Sequence, residues 1–170
     1  APAGRVIGSG RAGYVIGHEA NNSFILTNRL LAAGIKPEWI SQSVRANGET
    51  LGAGAIWVPA SAEATAIVRE AVGPLGIDAH AVARRPAGDG MALRPVRVGL
   101  VDRYGGVMSS GWTRWLLEQY EFPFEVVYPK ALDTEDLNAK YDVLVFTDTA
   151  APTLSYAGYR NGGAWSQPAP

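Results

Sequence analysis

The 170-residue chain contains no cysteine. That excludes disulfides, thiolate metal ligands and a cysteine nucleophile together. Histidine is nearly as scarce. His18 and His80 are the only two, far apart and in neither an H-x-x-E nor an H-E-x-x-H arrangement. A zinc site needs clustered ligands, so no metal and no cofactor is expected within the chain. Neither sign of charge dominates: 15 Lys and Arg stand against 16 Asp and Glu, and a basic nucleic-acid-binding face is not expected. No apolar run reaches the roughly 18 residues of a membrane span. Charged residues make up only 18% and hydrophobic ones 47%, which excludes a disordered chain and a coiled coil. The length is enough to bury a core in one domain or two small halves.

The chain opens Ala1-Pro2-Ala3-Gly4 without Met and without a charged and then apolar leader, so it reads as a processed or excised product. Residues 149–170 read as an irregular tail or loop. From Gly158 to Pro170 they are rich in Gly, Pro, Asn, Ser and Gln, with no apolar periodicity. An α/β domain usually closes on a strand or a helix, so the expectation is that the ordered chain stops mid-domain or that this is a fragment of something larger.

Between the ends, apolar runs alternate with helical patterns. Tyr14 to Gly17 reads as a buried strand ended by His18-Glu19. Asn21-Asn22-Ser23 offers caps for a helix with Phe24, Ile25, Leu30 and Leu31 on one face and Gly34 as its stop. Trp39-Ile40 and Ala55 to Val58 are strands, the latter stopped by Pro59. Ser61 caps a helix with Ala64, Ile67, Val68 and Ala71 inward, closed by Gly73-Pro74. Ile77 to Val82 alternates polar Asp78 and His80 with apolar residues, as an edge strand with one wet face would. Arg84 to Gly90 has linker chemistry.

The pattern then restarts. Val96 to Val101 is a strand ended by Asp102-Arg103, and Ser109 or Ser110 is placed to cap a helix carrying Trp112, Trp115, Leu116 and Tyr120. Phe124 to Tyr128 is a strand, Asp133 to Tyr141 a short helix, and Val143 to Phe146 a buried strand. Leu30-Leu31 precedes Pro37 as Leu116-Leu117 precedes Pro123. The chain is therefore expected to be one α/β domain built from two similar βαβ halves, 13–83 and 94–148. Strands joined through helices imply a parallel sheet, an α/β sandwich of flavodoxin-like type.

Ligands bind at the ends of parallel strands, where loops and helix N-termini meet. His18, Glu19, Asp102, Arg103 and Asp148 occupy such positions. Each could hold a ligand or simply tie down the loop that follows. Gly8 to Gly13 spells G-x-G-x-x-G, but it precedes a strand, and the phosphate mechanism needs it before a helix. Tyr104 to Met108 does lead from strand to helix and could cradle a small anion with Arg103 and Arg114. No G-x-S-x-G nucleophile turn occurs. Trp112, Trp115 and Tyr120, at helical spacing, form either a stacking platform or, more ordinarily, a packing surface.

Val98-Gly-Leu-Val-Asp102-Arg-Tyr-Gly-Gly-Val-Met108, with Gly111-Trp-Thr-Arg-Trp-Leu-Leu-Glu-Gln-Tyr-Glu-Phe-Pro-Phe124 and the Tyr141 to Phe146 strand, resembles a known domain. It is similar to the glutamine-amidotransferase-like domain that follows the catalytic domain in bacterial zinc carboxypeptidase-like proteins. The likeness is firm from Val98 to Phe146 and looser from Tyr14 to Glu19 and at Asn28 to Leu31. It implies a class I glutamine amidotransferase-like fold beside a zinc metallopeptidase domain in an exported parent, secreted or periplasmic. The carboxypeptidase's H-x-x-E motif and the amidotransferase's nucleophilic cysteine both lack a match. The expected function is a non-catalytic accessory domain that packs on the parent's peptidase domain, through Trp112 and Trp115, or binds a ligand near its cleft. Zinc is expected only in that peptidase domain. The alternatives are a free-standing small-molecule-binding domain using the strand ends, and a hydrolase with a carboxylate or hydroxyl site of unfamiliar form.

Overall fold

The computed structural model describes residues 2–134, 136–148 and 150. The expected tail therefore lies, apart from Ala150, outside the described residues. The chain divides into two compact units, Ala1–Pro95 and Val96–Pro170.

The first unit runs β1 (Val6–Ile7), β2 (Gly13–Ile16), α1 (Asn22–Ala32), β3 (Glu38–Ile40), β4 (Val44–Ala46), β5 (Glu49–Leu51), β6 (Ile56–Pro59), α2 (Ala62–Leu75), β7 (Ala79–Val82) and β8 (Gly90–Ala92). Six of these strands form one sheet in the order β1-β7-β2-β6-β3-β8, while β4 and β5 make a separate hairpin. Period-two alternation sorts the side chains. Tyr14, Ile16, Ile56, Val58, Ala79 and Ala81 face the helices and pack on Leu26, Leu30, Ala64, Val68 and Ala71. Val15 and Trp57 face the other way, onto Ile40, Val44 and Ala55. The hairpin thus covers the face that the helices leave, and the central strands β2, β6 and β7 are buried on both sides.

The expectation of a parallel sheet fails in this unit. Only β1 and β7 pair in parallel; β2 is antiparallel to both β6 and β7, and β3 is antiparallel to β6 and β8. The two crossovers, β2-α1-β3 and β6-α2-β7, are real, but they interleave, so each strand's neighbour comes from the other crossover. This is the split βαβ, ferredoxin-like arrangement, with β1 and β8 added at the edges.

Several local expectations are also corrected. The buried face of α1 is Ser23, Leu26, Thr27 and Leu30, shifted from Phe24, Ile25 and Leu31, and Asn21 makes no side-chain cap. Gly34, at φ +74°, does close α1, with Ile35 N–H bonding to Leu30 O at 3.0 Å. Ser61 Oγ accepts from Ala64 N–H at 2.9 Å, a true cap for α2. That helix continues through Gly73-Pro74 to Leu75, and left-handed Gly76 ends it. β7 is no wet edge: it lies between β1 and β2, and His80 is 1% exposed. Nor is Arg84 to Gly90 a loose linker. Arg85 bonds Glu38 at 2.6 Å, and Gly90 already pairs with Ile40.

The second unit runs β9 (Val98–Val101), α3 (Met108–Gln119), β10 (Phe124–Val127), α4 (Pro129–Thr134), α5 (Leu137–Lys140) and β11 (Val143–Phe146). Here the parallel expectation holds, in the order β10-β9-β11. Val101, Val127 and Tyr141 form its small core, with Leu132, Leu137 and Leu144 packed against them. Gly99 is in the central strand because a Cβ there would meet Leu144 at 2.6 Å and Val127 at 2.9 Å. The single helix expected over Asp133 to Tyr141 is instead two short ones, with Asp136 capping α5. Neither Ser109 nor Ser110 caps α3; Val107 holds that position and both serines lie in the first turn. The repeat is thus one of element order only. In β9-α3-β10 the two strands are direct neighbours, whereas β6 separates β2 from β3.

Candidate functional site

In the second unit the chain leaves β9, crosses through α3 to β10 on one side, and returns through α4 and α5 to β11 on the other. β9 and β11 are parallel neighbours, and the carboxyl ends of such strands are where ligands bind in open α/β sheets. Asp102 and Asp148 sit at those two ends.

The first of them is held by the backbone. Asp102 N–H donates to Val127 O at 3.0 Å, and its Oδ1 accepts from Arg103 N–H at 2.8 Å. The next turn closes when Gly106 N–H donates to Arg103 O at 2.8 Å, with both Gly105 and Gly106 at positive φ. The chain then enters α3. Ser110 is buried there, its Oγ 2.8 Å from Thr147 Oγ1, and Ser109 Oγ donates to the Asp148 carbonyl. These hydroxyls stitch the start of α3 to the segment after β11. Beside them Tyr104 stacks on Tyr128, ring centres 4.9 Å apart and 10° from parallel.

The Arg103 guanidinium has no partner among the described residues. Arg114 is not available to the loop as expected. It is engaged by Glu118 one turn on, at 2.9 Å, and that hydrogen bond raises its pKa. The site so formed has a cation unpaired among the described residues, two acidic residues, an aromatic pair and a helix start without a side-chain cap. That set suits the recognition of a polar small molecule. The second unit itself contributes no histidine; His18 and His80 both belong to the first.

His18 and Glu19 are brought together, but as a separate pair. A Cβ on Gly52 would lie 3.4 Å from Glu19 Oε1 and 3.6 Å from His18 Cε1, so both side chains rest against the Gly52–Gly54 bend before β6. His18 Nδ1 is buried there without a hydrogen-bond partner. Among the described residues no three of His, Cys, Asp and Glu converge.

Trp112 and Trp115 are 62% and 50% exposed, packed edge to face at 6.0 Å. Met108 and Leu116 extend the same helical stripe and are also exposed. The sequence reading missed Thr147 and Tyr128. Thr147 follows directly on the apolar run of β11, a position equivalent to Asp102, and that placement could have found it.

The chain is thus a mixed α/β protein, one unit with a split βαβ sheet and the other with a parallel one. No family model, no curated protein and no solved structure matches it.

Proposed function

We propose that this chain is a non-catalytic accessory part of a zinc carboxypeptidase-like protein, secreted or periplasmic, whose second unit is of the flavodoxin-like, glutamine-amidotransferase-like kind. One observation carries the reading. The run that bears the resemblance, Gly111 to Phe124, presents two indoles to solvent at Trp112 and Trp115. Large aromatic side chains on one helix face are what a buried interface uses as anchors. On this reading α3 packs against the peptidase domain, and the zinc and the peptide hydrolysis belong to that domain. The order β10-β9-β11 supports the flavodoxin-like assignment, since it is the first part of that sheet order.

The test is association of the chain with a zinc carboxypeptidase-like domain, followed by gel filtration and calorimetry. Saturable binding that drops at least about tenfold in Trp112→Ala/Trp115→Ala, with the circular dichroism of the chain unchanged, is the expected result. Release of C-terminal amino acids from peptides by the chain alone would sink the proposal.

A second reading has its own support. The carboxyl ends of the neighbouring parallel strands β9 and β11, followed by Asp102, Arg103 and Asp148, suit the ligand end of a free-standing small-molecule binder. A metabolite-induced rise in melting temperature that Asp102→Ala abolishes, with no peptidase-domain binding, would favour it.

A further inference from the structure

The first unit contains a cavity of about 890 Å³, within the size range of small-molecule sites. Its walls come from β4 and the Asn47 turn, the residues leading into β4, the turn after β1, and the end of β7 with the stretch that follows it. Three guanidinium groups line it, on Arg45, Arg84 and Arg85, and no described acidic residue does.

The three are not equivalent. Arg85 is held by Glu38 at 2.6 Å and also donates to the carbonyls of Pro86 and Gly88, so it shapes the wall. Arg45 and Arg84 bond to nothing among the described residues. Ser9, Gln42 and Ser43 add hydroxyl and amide groups to the same lining.

The local structure explains why the cations collect there. In β4 the alternation buries Val44 and Ala46 and turns Arg45 outward. Asn47, at the turn of the hairpin, donates to Ile7 O at 3.0 Å and to Ala81 O at 3.2 Å, which fixes the hairpin on β1 and β7. Arg84 stands two residues after β7, and the Arg85–Glu38 pair fixes its neighbour. The two unpaired cations therefore stand on walls that are already held. Concave walls of low polarizability concentrate their field, and the planar fork of arginine matches the two oxygens of a carboxylate or phosphate.

We infer that this cavity binds a small organic anion, recognised through its carboxylate or phosphate groups by Arg45 and Arg84. The site lies within the first unit and does not depend on what the α3 face docks against.

The experiment is calorimetric titration of the intact chain with citrate and, separately, with pyrophosphate, in low salt and in a buffer free of both. At least one should bind saturably, and which one does distinguishes a carboxylate from a phosphate ligand. Affinity should fall about tenfold in Arg45→Gln and in Arg84→Gln, and should weaken with added sodium chloride. Arg69→Gln, on the exposed side of α2, should bind as the native chain does. Circular dichroism checks that each variant is folded. No saturable binding of either anion, or unchanged affinity in both cavity variants, overturns the inference.

Discussion

Among single residues, the charged ones that are engaged differ sharply from those left free. Arg97 donates to both carboxylate oxygens of Asp142, at 3.1 and 3.2 Å, and to the Ala139 carbonyl, tying the start of β9 to the end of α5. The hydrogen bond to Asp142 is the main cause of its raised pKa, opposed by a smaller desolvation. A cation whose folded-state value is raised stabilises the fold fully below its ordinary value, and the benefit is lost as pH rises through the raised one. Both lie well above neutrality. Arg97→Gln should therefore lower the urea midpoint by the same amount at every pH between about 7 and 9. A difference that vanished across that window would contradict the assignment. His80 shows where reading residues alone breaks down. Its place in a polar alternation gave a wet face, yet β7 is covered on both faces and the imidazole is buried, 3.6 Å from Glu49.

At the level of elements, strands and helices were readable wherever one short stretch settled the outcome. The apolar runs of β2, β9 and β11, the Ser61 cap and the Gly34 stop all depend on residues within a few positions of one another. The hairpin β4–β5 was missed although its signal is in the chain. Asn47-Gly48, both at positive φ, joins two three-residue strands, and Asn-Gly at such a place marks a two-residue turn. The candidate site followed the same division. Asp102 and Asp148 could be found from the runs that precede them, but the arginine-lined cavity could not, because its walls come from segments some 40 residues apart. Asn47→Ala should loosen the hairpin from β1 and β7, since the Ile7 and Ala81 carbonyls lose their donor. The expected loss is about 1–2 kcal/mol by urea denaturation. Asn47→Gly, which also removes the amide but suits the turn better, should cost no more than Asn47→Ala. If it costs more, turn strain is not part of the effect.

Across the whole molecule, the two units differ in how well they bury themselves. The first has a core of more than a dozen buried residues on one sheet face and a second cluster on the other. Among the described residues the second buries little beyond Leu100, Val101, Val127 and Tyr141, while Val143 and Phe146 of β11 and the stripe on α3 stay exposed. Less apolar burial gives less stability. Amides of β9, β10 and β11 should therefore exchange with deuterium before those of β2, β6 and β7. Equal protection in the two sets would show that the units unfold together. Strand direction was the fold property least accessible from the sequence. Each crossover implies only that its own two strands run the same way, and whether another strand slips between them is decided by partners tens of residues distant. In the second unit nothing does, and the expectation held.

The placement of β1 carries a consequence for how the protein is made. Among the described residues its one sheet neighbour is β7, where Val6 pairs with Ala79. At the other end of the sheet β8 waits on β3, and Met91 pairs with Trp39. A ribosome must therefore deliver nearly all of the first unit before either border of this sheet can close. Nascent chains stalled short of β7 should be digested readily by protease, and those stalled well beyond β8 should resist.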